Sequence, residues 1–288
     1  MLMRPRCIPC LLTRVLYETE LVNPALAPKT LKEATRIISE RYDGNQNSAE
    51  LATEVHRRVY EILGTDPYKE IKKRSNQVAL SLLPKVESIV KNSEDKLYAS
   101  ALSSIIGNIL DFGVQRVFEK PEDMIEGFDK IFKEGLAVND LPKAKKFFEN
   151  GKRVLYFTDN CGEIVFDKLL VREISRLGAK VTLVVKGGDI LTDATIDDAL
   201  ALSFTEVADS IITTGSNAVG VSFKEMGREL ANALKDYDII VSKGMANYES
   251  FSDSGYKPIL YLMRIKCDSI AEDTELKREI SIAKLEVN

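Results

Sequence analysis

Val154-Leu155-Tyr156-Phe157-Thr158-Asp159-Asn160-Cys161-Gly162-Glu163 is the stretch from which the fold is read. Four consecutive apolar residues make a short strand of the kind buried on both faces, and a polar cluster ends it. A helical pattern over residues 164–177 follows, and Gly178 closes it. Val181-Thr182-Leu183-Val184-Val185 then makes a second strand. Strands are predicted again at 210–213, at 239–241 and in the longer run 259–265, with helical stretches before the third and over 223–234 before the fourth. Short buried strands alternating with amphipathic helices predict an α/β fold, a Rossmann-like and mostly parallel sheet flanked by helices. Residues 268–288 are charged and give no clear pattern.

Upstream the period changes. Leu31, Ala34, Ile37 and Ile38 recur at helical spacing, and so do Leu51, Val55, Val59 and Leu63. Asn47 or Ser48 offers a cap for the second set, and Gly64-Thr65-Asp66-Pro67 ends it. Helical patterns continue over 68–91, 95–112, 122–134 and 140–149. Residues 1–150 are therefore expected to form an all-α N-terminal domain and 151–288 an α/β domain.

Composition excludes several classes. The 288 residues carry a net charge of −4, which gives no general attraction to nucleic acid or to an anionic membrane. No apolar run reaches the roughly 18 residues that span a bilayer. The first ten residues mix Arg4, Arg6, two prolines and two cysteines, unlike a secretion signal, so a cytoplasmic protein is expected. Four cysteines in a chain of this length are too few for a disulfide-built scaffold.

In open α/β sheets ligands bind at the carboxyl ends of the strands. Here those ends run into Asp159 and Asn160, then Lys186 and Asp193, then Asn217, then Lys243, Asn247 and Glu249. One such cluster is ordinary turn chemistry; four on one sheet edge point to a site. Asp159, Asn160 and Asp193 are hard oxygen donors suited to Mg²⁺ or Mn²⁺. Such an ion polarises a phosphoryl oxygen and readies a water. Lys243, with the backbone around Gly244, is expected to hold phosphate oxygens. His56 is the only histidine; beside Arg57 and Arg58 it is expected to be a partly exposed helix residue, which argues against Ser–His and Cys–His hydrolases. There is neither a G-x-x-x-x-G-K-[ST] loop nor a G-x-G-x-x-G turn after the first strand.

The segments Asp159-Asn160-Cys161-Gly162-Glu163, Asp193-Ala194-Thr195 and Ser242-Lys243-Gly244-Met245-Ala246-Asn247-Tyr248-Glu249 together resemble the signature of the damage-control phosphatase family, long catalogued as a domain of unknown function. Gly107-Asn108 with Asp111-Phe112 is similar to a helix motif of that family, and Cys7-Ile8-Pro9-Cys10 to the paired cysteines of its stand-alone microbial branch. The resemblance implies a phosphatase using a divalent metal (Mn, Ni, Co or Mg) on small phosphorylated metabolites such as sugar phosphates. It implies metal ligation by Asp159, Asn160 and Asp193, and phosphate contact by Lys243. Asn108 and Asp111 would close the site from the helical side, with Asp111 joining Asp159 and Asp193 as catalytic. Asn217, Asn247 and Glu249 take substrate-side roles, and Glu163 a supporting one. Thr192 and Met245 depart from the residues common there, which bears on substrate choice. Oligomeric state and the choice between direct water attack and a phosphoryl-enzyme are left open.

Two other functions fit parts of the sequence. A methyltransferase using S-adenosylmethionine shares the sheet topology, but calls for a Gly-rich first loop where Asp159-Asn160 stands. A non-enzymatic metal- or redox-binding protein would be organised around Cys7 and Cys10, and Cys161 and Cys267 would complete a zinc site only if the fold gathers them. Cys161 is otherwise expected to be a small residue beside the ion.

Overall fold

The computed structural model describes residues 1–108 and 124–287, without the side chains of 124–126. Its centre is a seven-stranded sheet. The strands are β1 (Leu136–Asn139), β2 (Arg153–Phe157), β3 (Lys180–Val185), β4 (Ser210–Thr213), β5 (Ile239–Lys243), β6 (Ile259–Ile265) and β7 (Ile280–Glu286), in spatial order β1-β7-β6-β5-β2-β3-β4. From β6 to β4 every pair is parallel; β7 runs antiparallel to β6 and carries β1 parallel to itself at the edge. The predicted mostly parallel sheet is thus observed.

Two strands went unread in the sequence. β7 lies in the charged tail, where Lys284 and Glu286 interrupt the apolar pattern, and β1 is only four residues long. β1 falls within the first 150 residues, so that stretch is not wholly helical.

Twelve α-helices are described. Before the sheet come α1 (Cys7–Val22), α2 (Ala27–Arg41), α3 (Ser48–Leu63), α4 (Lys69–Asn92), α5 (Lys96–Gly107) and α6 (Met124–Glu134). Among the strands lie α7 (Leu141–Ala144), α8 (Glu163–Arg176), α9 (Ile196–Ala201), α10 (Arg228–Ala233), α11 (Gly244–Phe251) and α12 (Asp268–Thr274). Asn47 caps α3 by accepting from the Ala49 amide, and Gly64 ends it with φ 72°. The helix expected over 223–234 is shorter. Gly227 is extended and donates its amide to the Thr214 carbonyl, so the segment before α10 is drawn onto the loop after β4 instead of coiling.

Alternate residues of the central strands face opposite layers. Val154 and Tyr156 of β2 pack with Ala101 and Ile105 of α5 and Ile164 of α8, whereas Leu155 and Phe157 pack with Leu230, Tyr248, Phe251 and Ile270 of the other layer. α1, α2 and α3 hold a small core of their own around Val15, Ala34, Val55 and Val59. Because β3 and β4 continue the sheet on one side of β2, and β5 and β6 on the other, the carboxyl ends of β2 and β5 flank a topological switch point.

Candidate active site

The residues after β2 and β3 are fastened together by backbone. Cys161 N donates to Thr192 O at 2.7 Å and Ala194 N to Asp159 O at 2.8 Å, so Asp159-Asn160 lies beside Thr192-Asp193. Across the switch point, α11 begins at Gly244 with φ 75°, and a Cβ there would lie 1.8 Å from Asp159 Oδ2. A glycine is what lets the carboxylate lie over this turn.

Asp159, Asn160 and Asp193 are all buried, and side-chain bonds hold them in place. Asn160 Nδ2 and Asn108 Nδ2 each donate to Asp159 Oδ2 at 2.7 Å, fixing the carboxylate plane. Thr192 Oγ1 donates to Asn160 Oδ1 at 2.6 Å. Lys186 Nζ is 3.2 Å from Asp193 Oδ2 and also donates to the Gly220 carbonyl. Asn108 donates in addition to Glu163 Oε2 at 2.7 Å, while the buried Lys266 ammonium donates to the Asn108 carbonyl. The helical half therefore does reach Asp159. Asp111 lies outside the described residues.

Lys243 departs from expectation. Its ammonium is 0% exposed, is engaged by Glu163, by Asp167 Oδ1 at 2.7 Å and by the Ser104 carbonyl at 3.5 Å, and does not line the cleft over Asp159. Burial works against its charge, yet the Asp167 and Glu163 carboxylates outweigh that and raise its pKa above the ordinary lysine value. Burial pushes the Glu163 carboxyl up, against the pull of Lys243. Asp167 also accepts from Ser104 Oγ at 2.6 Å and Tyr156 OH at 2.8 Å. Asp167, Lys186 and Lys266 are supporting residues the sequence reading gave no role. The available signal was an acidic pair, Glu163 and Asp167, four apart on one helix face.

A cleft of about 260 Å³ opens over Asn108, Asp159, Asn160 and Asp193. Its far wall comes from α1 and α3, including Cys7, Arg14, Ser48 and His56, with Glu249 of α11 between. Burial pushes the Glu249 carboxyl up, and a hydrogen bond from Ser48 pulls the other way. Asn247 does not line the cleft: its Nδ2 donates to the Thr158 and Lys243 carbonyls at 2.9 and 2.8 Å, tying β2 to β5. Asn217 is also turned away, accepting from Arg57 Nε at 3.0 Å.

His56 is not a partly exposed helix residue. It is 1% exposed, and its Nδ1 lies 2.8 Å and 3.0 Å from the two carboxylate oxygens of Glu18, itself fully buried on α1. The arginine neighbours point elsewhere, to Glu225 and Glu61. Cys7, Cys10 and Cys267 border the cleft, whereas Cys161 is buried with Sγ 3.9 Å from the Asp193 carbonyl. All four are free thiols, and burial pushes Cys267 up to about 11. Among the described residues no three His, Cys, Asp or Glu side chains form a metal-holding group. Two carboxylates and one amide oxygen, completed by water, match instead a hard divalent ion. Among the described residues no helix is long and apolar enough to cross a membrane.

A sequence profile of the damage-control phosphatase ARMT1-like domain matches residues 3–280. A damage-control phosphatase of Archaeoglobus fulgidus is 42% identical over 284 residues, 98% of each chain. A damage-control phosphatase of Pyrococcus horikoshii is 33% identical over 251 residues, 85% of this chain and 84% of the relative. The crystal structure of a DUF89 family protein from Pyrococcus horikoshii superposes with a TM-score of 0.88 at 26% identity, covering 99% of both chains.

Proposed function

The chain belongs to the ARMT1-like damage-control phosphatase family, and from that premise we propose that it hydrolyses phosphomonoesters of small metabolites in the cleft over Asp159. The observation that carries this is the convergence of Asp159, Asn160 and Asp193 at the switch point, each held by a partner of its own. These three would hold a divalent ion, Mn²⁺, Co²⁺, Ni²⁺ or Mg²⁺, which when bound supplies positive charge against the phosphoryl group and activates the attacking water. Preorganisation falls to the protein. Asn108 and Asn160 fix Asp159, Lys186 steadies Asp193, and the Glu163–Lys243–Asp167 cluster anchors Asn108 from behind.

The substrate is a small phosphorylated metabolite, in keeping with a cleft of about 260 Å³. The helices of residues 1–150 supply Asn108 and the far wall, and residues 151–288 the carboxylates. Glu249 is the substrate-side residue of α11. The setting is the cytoplasm, where phosphorylated metabolites and reduced thiols are found together. Neither a methyltransferase nor a cysteine-centred binding protein has support from the family match.

The test is phosphate release from p-nitrophenyl phosphate and a panel of sugar phosphates with each metal in turn. Wild type should turn over and Asp159→Ala should lose roughly 10²-fold or more, with unchanged circular dichroism. Equal turnover in the folded variant sinks the assignment.

A further inference from the structure

Hydrolysis of an alkyl or sugar phosphate breaks a bond to a poor leaving oxygen, which needs a proton as it departs. The groups already placed around Asp159 are engaged elsewhere: the Asn108 and Asn160 amides with Asp159, Lys186 with Asp193 and Gly220, Lys243 with Glu163 and Asp167. We propose that His56, oriented by Glu18, is a further catalytic residue of the phosphatase reaction, donating from Nε2 the proton that the leaving oxygen takes up.

Geometry carries this. His56 borders the same cleft as Asp159 and Asp193, together with Ser48 and Ala52, which precede it at steps of four on one face of α3. Helix α3 is clamped onto the loops that build the site. Thr53 Oγ1 accepts from the Val219 amide and Tyr60 OH from the Leu191 amide, both at 2.9 Å, and Leu191 is two residues before Asp193. His56 lies between these anchors.

Glu18 defines which nitrogen works. Its two oxygens, 2.8 and 3.0 Å from Nδ1, take the hydrogen bond from Nδ1–H, so Nε2 is the atom from which a proton is given. The step balances. A water oxygen forms the new P–O bond, the bond to the ester oxygen breaks with its electron pair going to that oxygen, and the Nε2 proton neutralises it as the alcohol. The proton lost by the attacking water reaches solvent, and solvent reprotonates the ring. The products are the alcohol and inorganic phosphate.

The inference rests on the phosphatase reading, and the experiment separates the two. Full-length wild type, His56→Gln, His56→Asn and Glu18→Gln are compared, with Mn²⁺, on β-glycerol phosphate and on p-nitrophenyl phosphate. The nitrophenolate departs without a proton. We expect His56→Gln and His56→Asn to lose roughly 10²-fold or more in kcat/KM on the alkyl ester and only a few-fold on the aryl ester, with Glu18→Gln intermediate in the same direction. Equal losses on both esters, or none, would overturn the assignment while leaving the phosphatase reading intact. Inactive wild type on both overturns both. Should the histidine variants not fold, the wild type decides: kcat/KM across aryl and alkyl esters should depend only weakly on leaving-group pKa, and a steep dependence contradicts a proton donor.

Discussion

Gly244 leaves room for the Asp159 carboxylate, and its neighbour Lys243 pairs the buried carboxylates of Glu163 and Asp167. A methyl group on Gly244 would overlap the Asp159 carboxylate and must also adopt a φ of 75°, so Gly244→Ala should displace Asp159 and cut phosphate release by at least tenfold. A steady-state assay checks this, with the melting curve reporting any loss of fold. Lys243→Ala leaves two buried carboxylates facing each other and should cost about 3–5 kcal/mol in denaturant unfolding. That Asp159, Asn160 and Asp193 would be neighbours was legible because polar residues stood together at successive strand ends. The burial of Lys243 was not legible because a lysine closing a strand looks the same in sequence whether it faces solvent or core; the five buried residues of β5 decide for the core. His56 was hidden behind Arg57 and Arg58. Its partner Glu18 lies 38 positions away on another helix, a pairing no local pattern reveals.

Among the elements, the packing of α5 on α8 is what brings Asn108 to Asp159. Gly107 is the point of closest approach, since a Cβ there would lie 2.8 Å from the Glu163 Cα. Gly107→Ala must push the helices apart and should cost about 1–3 kcal/mol by urea unfolding, with activity falling because Asn108 moves with its helix. An unchanged midpoint would show the contact to be slack. Of the five parallel strands, β2, β3, β5 and β6 were readable as apolar runs because most of their residues are buried, and the half-exposed edge strand β4 was readable from Ile211-Ile212. β1 and β7 were not, because β1 is only four residues long and β7 carries Lys284 and Glu286, which make it read like a polar tail.

At the scale of the molecule, the cleft belongs to neither half alone. The sheet edge brings the carboxylates, α5 brings Asn108, and α1 and α3 bring the wall with His56 and the Cys7/Cys10 pair. Alternation foretold an α/β fold after a helical stretch, and the polar strand ends with the family resemblance foretold an enzyme, but which helix face would meet the strand ends is a long-range property that one-dimensional periodicity does not carry. The most direct measurement compares phosphate release by wild type, Asp193→Ala and Cys7→Ser, each stripped with chelator and then resupplied with Mn²⁺. The account predicts that stripping silences wild type and Cys7→Ser, that Mn²⁺ restores both, and that folded Asp193→Ala stays silent throughout. Activity that survives in Asp193→Ala, or is lost irrecoverably in Cys7→Ser, would contradict it.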